Sequence, residues 1–421
     1  MTPIATSHQR NNHCRLCRAT SLRQVLPLEP SPIADAYVPA ARLKEPQPRF
    51  PMDLYQCDGC GHVQLLDVVS ADALFKDYIY NTSDSASLVE HFRRYVETLV
   101  IRFAPKPGQL AVDIGSNDGT VLSFWKERGL QVCGVDPAEQ IAREATAKGL
   151  PTRCAYFNES LGRAIRAESG PAAFVTANNV FAHADDLPGI LDGVHELLAD
   201  DGVFVFEVSY LVDIIEKGLF DTVYHEHLCY HSIGPLQKFF QAHGMVLFDV
   251  ERIATKGGSI RVFAQKQIGR QPVAAIVGEL IELERAMALD AGTPFVPLVR
   301  SLAENKANLH AVLTEVRRNG GRVAGFGASA TVTTLLTHFE LAPLLDYLVD
   351  DNPKRSGLYS PHFHLPVLSS QILYDRPPAC VVLLAWQYVT PILAKHREYA
   401  RDGRFFVMPM PEIKRIPDPD P

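Results

Sequence analysis

No stretch of the chain holds eighteen consecutive apolar residues, so no segment reads as a membrane-spanning helix. Met1 to Asn12 is polar and lacks the apolar core of a secretory signal, which makes a cytoplasmic location the expectation. Excess positive charge is also missing: 41 Lys and Arg stand against 48 Asp and Glu, a formal net charge of −7. A mildly acidic field does not draw nucleic acid or anionic lipid, so neither is an expected partner. No strong repeat, coiled coil or low-complexity tract is present, and aromatic and β-branched residues are spread along the chain, which excludes disorder. The 421 residues, 47% apolar and 21% charged, have the composition of a soluble protein of roughly two to four domains.

Eight cysteines in a reducing compartment remain thiols. Four of them form Cys14-x-x-Cys17 and Cys57-x-x-Cys60, with 39 residues between the pairs. Zinc favours four thiolates in a tetrahedron, and a two-residue gap lets both sulfurs of one tight turn face one ion. Gly59 and Gly61 supply the turn of the second knuckle. The separation requires a loop between the knuckles, and the Pro-rich segment from Pro27 to Pro51 fits it. A structural zinc is preferred over four free thiols. A redox pair is disfavoured because neither CxxC opens a helix after a strand, and four thiolates leave no open position for catalysis. His13 and His62 lie beside the knuckles and are secondary ligand candidates. Arg10, Arg15, Arg18 and Arg23 are too few, and too little interleaved with aromatics, for a nucleic-acid surface.

The apolar run Leu110 to Ile114 reads as a buried strand, followed by Gly115, Gly119 and a helix over 120–128. A second strand, Gln131 to Val135, ends at Asp136 and leads to a helix over 138–148. This is a β–α–β unit with an acid positioned for ribose hydroxyls. The loop Asp113-x-Gly115-x-Asn117-x-Gly119 resembles that of S-adenosylmethionine (SAM)-dependent methyltransferases more than a dinucleotide fingerprint. Asp113 and Asp118 would repel a pyrophosphate and suit a cationic ligand. SAM is therefore preferred over NAD(P) and over a ligand-free unit. Strands over 173–177, 203–208, 245–252 and 259–266 and helices over 187–198 and 234–243 continue the doubly wound pattern. Gly115, Asp136, Asn178, His183 and Glu207 then fall at the carboxyl ends of strands, where such sheets bind ligands.

Tyr224-His225-Glu226-His227, with His231 beyond, is open to three readings. A His beside a carboxylate suits proton abstraction, and a nearby Tyr can donate to an oxyanion. Metal binding is weaker, because the spacing is not HExxH and a helix would point His225 and His227 about 200° apart. A structural loop is the third.

From Val273 to Arg318 the pattern is helical with a break at Gly292-Thr-Pro294. A strand over 322–325, the turn Gly325-Phe-Gly327-Ala-Ser-Ala330 and a helix over 331–339 follow. Strands over 345–349, 379–385 and 404–408 complete a second Rossmann-like unit. Its glycine turn is expected to take a nucleotide diphosphate, with structural duplication or NAD(P) as alternatives. Lys256-Gly-Gly-Ser-Ile-Arg261 is a further phosphate candidate, or else a tight turn entering a strand.

The zinc module, the loop Asp113–Gly119, the Tyr224–His227 motif and the turn Val323–Ala330 occur in an order that resembles the sugar C-methyltransferases, notably those acting at C-3 of nucleotide-linked 4-keto-deoxyhexoses. The resemblance covers almost the whole chain. It implies an α/β protein of three parts: a small four-cysteine zinc-binding module over 1–72, a class I SAM-methyltransferase Rossmann domain over 73–270 and a Rossmann-like nucleotide-sugar domain over 271–421. It implies SAM bound through Asp113, Gly115, Asn117, Gly119, Asp136 and Asn178, and structural zinc on Cys14, Cys17, Cys57 and Cys60. By the same resemblance His227 is the base that removes the C-3 proton, and Tyr224, Glu226 and His183 are its catalytic neighbours. Tyr78 enters from the N-terminal side, with Tyr80 as a competitor for that role. The implied substrate is a dTDP- or GDP-linked 4-keto-deoxysugar, and monomer and homodimer are both compatible. An O- or N-methyltransferase of another small molecule is the alternative, and a zinc-ribbon nucleic-acid-modifying protein a more remote one.

Overall fold

The computed structural model describes residues 8–71, 74 and 81–416. Leu110–Ile114 is buried at every position, as a strand covered on both faces must be, and it sits near the middle of a seven-stranded sheet. The order is Thr152–Cys154, Gln131–Asp136, Leu110–Ile114, Ala172–Asn178, Leu198–Ser209, Ser259–Lys266, Met245–Ile253. The first five strands run parallel, and Ser259–Lys266 is antiparallel to both its neighbours. The strand order reverses between Leu110–Ile114 and Ala172–Asn178, which opens a crevice at their carboxyl ends.

Three elements of this domain escaped the sequence analysis. Helix Ala86–Phe103 starts where the Ser85 hydroxyl accepts the Leu88 N–H, and it buries Phe92, Tyr95, Val96 and Leu99 on one face. Helix Glu159–Ser169 is capped in the same way by Asn158 onto Leu161. Thr152–Cys154 is a three-residue edge strand.

The cysteine knuckles flank a four-stranded antiparallel sheet with the order Cys229–Tyr230, Val63–Leu65, Leu54–Cys57, Leu22–Leu26. Its first strand comes from the middle of the chain. The third sheet, in the order Val367–Ser369, Tyr347–Asp350, Val323–Phe326, Cys380–Val382, Phe405–Met408, Lys414–Ile416, is parallel except for its last strand. Helix Ala275–Ala286 packs back on the middle domain, where the buried Glu284 accepts the Ile233 and Gly234 N–H groups and caps helix Ile233–Ala242.

The segment carrying the histidine motif is an irregular turn, not a helix. Both flanking bodies hold it. On one side Cys229 and Tyr230 pair with Gln64 and Val63, and Leu65 donates its N–H to the Leu228 carbonyl. On the other, Trp386 Nε1 donates to Asp221 at 2.8 Å, Thr334 Oγ1 donates to the Val223 carbonyl at 2.8 Å, and Phe220 stacks on Phe339.

Asp221 is buried, and burial pushes its carboxyl up to about 7 while the Trp386 and Gln387 donors pull the other way. The native state thus keeps this proton longer than the unfolded chain, whose carboxyl titrates near 3.8. Its contribution to stability is complete below that value and lost as pH rises through about 7. Asp221→Asn has no such dependence, so its melting temperature relative to the parent should climb between roughly pH 4 and 7 and level off above. A difference that stays flat over that range would show that Asp221 is ionised throughout.

Candidate functional site

A cavity of about 390 Å³ occupies the crevice at the carboxyl ends of the central strands. Gly115 forms its floor with φ 68°, and a Cβ there would come within 2.3 Å of Val180 Cγ2, so only glycine leaves the backbone open to a ligand. Asn117 follows with φ 49° and donates its N–H to Asp136 Oδ2 at 2.9 Å, while Ala138 donates to Oδ1 at 2.9 Å. These two amides hold the Asp136 carboxylate at the cavity wall, although burial raises its pKa. Asn178 lines the same wall, and its buried Nδ2 and Oδ1 have no hydrogen-bond partner among the described residues. A close-approach glycine, a poised acid and an unsatisfied amide fit a polar nucleoside-bearing ligand such as SAM. Leu88 and Phe92, on the helix missed from sequence, and Tyr156 and Phe157 form further walls. The Ser85 cap followed by apolar residues at 88, 92, 95, 96 and 99 was the available signal.

Two expected cofactor residues stand behind the cavity. Asp113 is buried and accepts the Thr176 hydroxyl, and desolvation raises its pKa to about 7. Gly119 has φ 81° and opens helix Thr120–Glu127 against Leu150. Neither lines the cavity. Glu207, also expected in the crevice, is buried in an ion-paired cluster with His91 and Arg261, each at 2.8 Å. Arg261 is spent on Glu207 and Glu251 and is not free for a phosphate.

At one end of the cavity stands His183. Its ring packs on His227 at 5.0 Å between centroids, and Tyr224 also packs on His227, at 4.1 Å. The Thr222 carbonyl lies 2.7 Å from His227 Nδ1. A carbonyl only accepts, so Nδ1 carries the proton and Nε2 keeps its lone pair. Burial, then the Lys256 charge, lowers His227 to about 4, which keeps it neutral. His183 is lowered for the same reason, with His227 and Lys256 contributing. Glu226 is raised to about 7 by burial and by Asp35, against the pull of Lys256. His225 itself lines the cavity, edge-on to Phe50 at 5.6 Å, whereas Tyr224, Glu226 and His227 stand behind the lining residues. His231 is fully buried between Phe181 and His62, and those packed rings make it part of the core. Tyr78 and Tyr80 lie outside the described residues.

The turn at Gly325–Ala330 is less open than a phosphate site requires. Asp350 Oδ2 already accepts the Ala328 N–H at 2.7 Å, and the Thr333 hydroxyl donates to the Ala34 carbonyl, so the segment around residues 34–37 lies over the start of helix Ala330–His338.

The four knuckle sulfurs lie within 4.8 Å of one another, with Cys14–Cys60 at 3.6 Å and Cys17–Cys57 at 3.5 Å. A tetrahedron of Zn–S bonds of about 2.3 Å has edges of about 3.8 Å, so the donor set fits zinc. Neither His13 nor His62 belongs to this cluster.

Comparison with known proteins agrees with this anatomy. Family models match for a zinc binding domain at residues 14–75, a methyltransferase domain at 88–249 and a C-methyltransferase C-terminal domain at 254–411. The C-methyltransferase NovU of Streptomyces niveus is 31% identical over 406 residues, covering 96% of this chain and 97% of that protein. Among solved structures, the SAM-bound magnesium protoporphyrin IX methyltransferase of Synechocystis is 15% identical with a TM-score of 0.34, covering 45% of this chain and 86% of that one. A SAM-dependent methyltransferase of Clostridium acetobutylicum is 13% identical with a TM-score of 0.35, covering 43% and 92%. Among the described residues no helix is long and apolar enough to cross a membrane.

Plasma emission spectrometry of the purified protein should find about one zinc per chain. Cys14→Ser and Cys60→Ser should each lose the metal and melt lower, since the knuckles brace the sheet that pairs with Cys229–Tyr230. Full metal occupancy in both variants would rule out the thiolate site.

Proposed function

This chain belongs to the C-methyltransferase family, a SAM-dependent group of enzymes, and from that premise we propose that it methylates C-3 of a dTDP- or GDP-linked 4-keto-6-deoxyhexose through an enolate. The observation that carries the reading is the neutral His227, whose Nε2 keeps its lone pair and whose ring packs against Tyr224 and His183. Transfer to oxygen or nitrogen uses a lone pair the substrate already has. Transfer to carbon needs a base first.

A C–H bond beside a ketone is acidic only because its electrons spread onto the carbonyl oxygen. His227 Nε2 takes the C-3 proton, and the C–H electrons become the enolate. Tyr224 donates to the oxygen, which is where negative charge collects. SAM supplies an electrophilic methyl group and leaves as S-adenosylhomocysteine. The C-3 carbon forms the new C–C bond and the ketone is restored. The proton on His227 returns to water. Gly115, Asn117, Asp136 and Asn178 hold the donor in line with C-3, a positioning task worth several kcal/mol in such reactions. The base-bearing turn lies against the C-terminal domain, so the nucleotide end of the substrate is read as lying along that junction.

The test omits methyl transfer. Protein in D2O with dTDP- and GDP-4-keto-6-deoxyhexoses, including 2-deoxy forms, and with S-adenosylhomocysteine present should incorporate deuterium at C-3. Mass spectrometry and NMR read it. His227→Asn should reduce the exchange by about 100-fold or more. With SAM, the product should gain one CH2. Methylated product without any C-3 exchange would favour O-methylation. Separately, Asp136→Ala should weaken SAM binding about tenfold or more by calorimetry, the loss of two charge-assisted hydrogen bonds.

A further inference from the structure

The strands Met245–Ile253 and Ser259–Lys266 are joined by a turn whose backbone is unusual at three successive residues. Lys256, Gly257 and Gly258 have φ of 52°, 85° and 151°. Glycine adopts such angles freely, and a lysine does so only when its surroundings over-determine it. They do. A Cβ on Gly257 would meet Leu219 at 2.9 Å, a Cβ on Gly258 would meet Asp213 at 2.5 Å, and Lys217 Nζ holds the Gly257 carbonyl at 2.8 Å. The turn is fixed, and a third glycine would relieve it.

The side chain that occupies this strained position points into the functional cavity. Among the described residues lining it, Lys256 is the one lysine or arginine. Lys217, Lys266, Lys306, Lys354 and Lys395 each sit within an ion pair. Lys256 has none among the described residues.

Its charge is directed. It lowers His183 and His227, and it pulls Glu226 down. At the ribose end of the cavity, Asp113 and Asp136 are governed by burial and by their own hydrogen bonds, with no contribution from Lys256. Of the carboxylates on its own side, Glu207 is already paired with Arg261 and His91, and burial and then Asp35 raise Glu226 to about 7; the pull of both acids on Lys256 opposes the burial that lowers its own pKa. A cation with no ion-pair partner among the described residues, acting on a neutral imidazole, does not serve to bind a sulfonium, which is itself positive. It suits an anion that arises during the reaction.

We propose that Lys256 is a catalytic residue whose ammonium donates to the substrate oxygen on which the enolate charge develops. This rests on the enolate reading above. The step balances without further reagents: the proton moves from C-3 to His227, the electron pair moves to oxygen, and Lys256 gives a hydrogen bond without losing its proton.

The experiment uses the full-length zinc-loaded protein with dTDP-4-keto-6-deoxyglucose in D2O and S-adenosylhomocysteine. Exchange by the parent protein tests the enolate reading itself. The ratio of variant to parent tests Lys256. Lys256→Met should lower C-3 exchange and methyl transfer about 100-fold, the scale for losing one oxyanion donor, with the SAM Kd within about threefold of the parent. Lys256→Arg should recover part of the rate. Lys256→Gly relieves the backbone, so it should melt at or above the parent and still be slow. Exchange by Met and Gly variants at the parent rate would overturn the assignment. So would a SAM Kd raised tenfold with exchange intact, because Lys256 would then hold the carboxylate of the methyl donor.

Discussion

The site depends on how one irregular turn is held. Residues 220–231 carry the proposed base, its aromatic neighbour and the adjacent carboxyl, yet they form almost no hydrogen bonds of their own repeating kind. Two strand residues, Cys229 and Tyr230, enter the zinc sheet, and a buried indole–carboxyl bond from Trp386 to Asp221 ties the other end to the C-terminal domain. A buried hydrogen bond to a carboxyl is costly to leave unmade. The three parts of the chain are therefore locked together at the turn to which the proposed acid–base chemistry is assigned. The role of zinc here is mechanical: by fixing the knuckles, it fixes the edge to which the turn attaches.

The electrostatics follow from that enclosure. Burial keeps His183, His225, His227 and His231 neutral at physiological pH, and it keeps Asp113 and Glu226 close to their titration points. A neutral imidazole is the form that accepts a proton. The donor end of the cavity differs, since Asp136 is steadied there by two backbone amides. One crevice thus offers a hydrogen-bonding end suited to a nucleoside and a second end with His183 and Lys256, behind which the proposed base His227 and the Tyr224 phenol are packed.

Much of the fold was legible because its signals are local. Leu110–Ile114 and Gln131–Asp136 are apolar runs bounded by Gly or Asp, and Cys-x-x-Cys pairs need no long-range information. What the sequence hid was pairing. Glu207 and Arg261 each look like a ligand group, and only the register that sets them opposite each other across two antiparallel strands shows that each satisfies the other. Asp350 likewise resembles a ribose-binding acid and is held by two backbone amides as Asp136 is, and only the segment around residue 34, bonded to Thr333, shows that the turn beside it is covered. The reverse holds for Lys256. Its charge is plain in the sequence, but its orientation depends on a left-handed backbone that no lysine announces.

The zinc sheet also dictates an order of assembly. Its cysteines are all present once residue 60 has left the ribosome, and the metal can bind then. The strand Val63–Leu65, however, is paired on one side only until Cys229 and Tyr230 arrive, far later in the chain. During that interval the nascent module carries an open sheet edge, the kind of surface that recruits another chain. Folding of the middle domain is what closes it. A fragment ending before residue 229 would have its metal and still lack the strand that keeps it from pairing with a second copy.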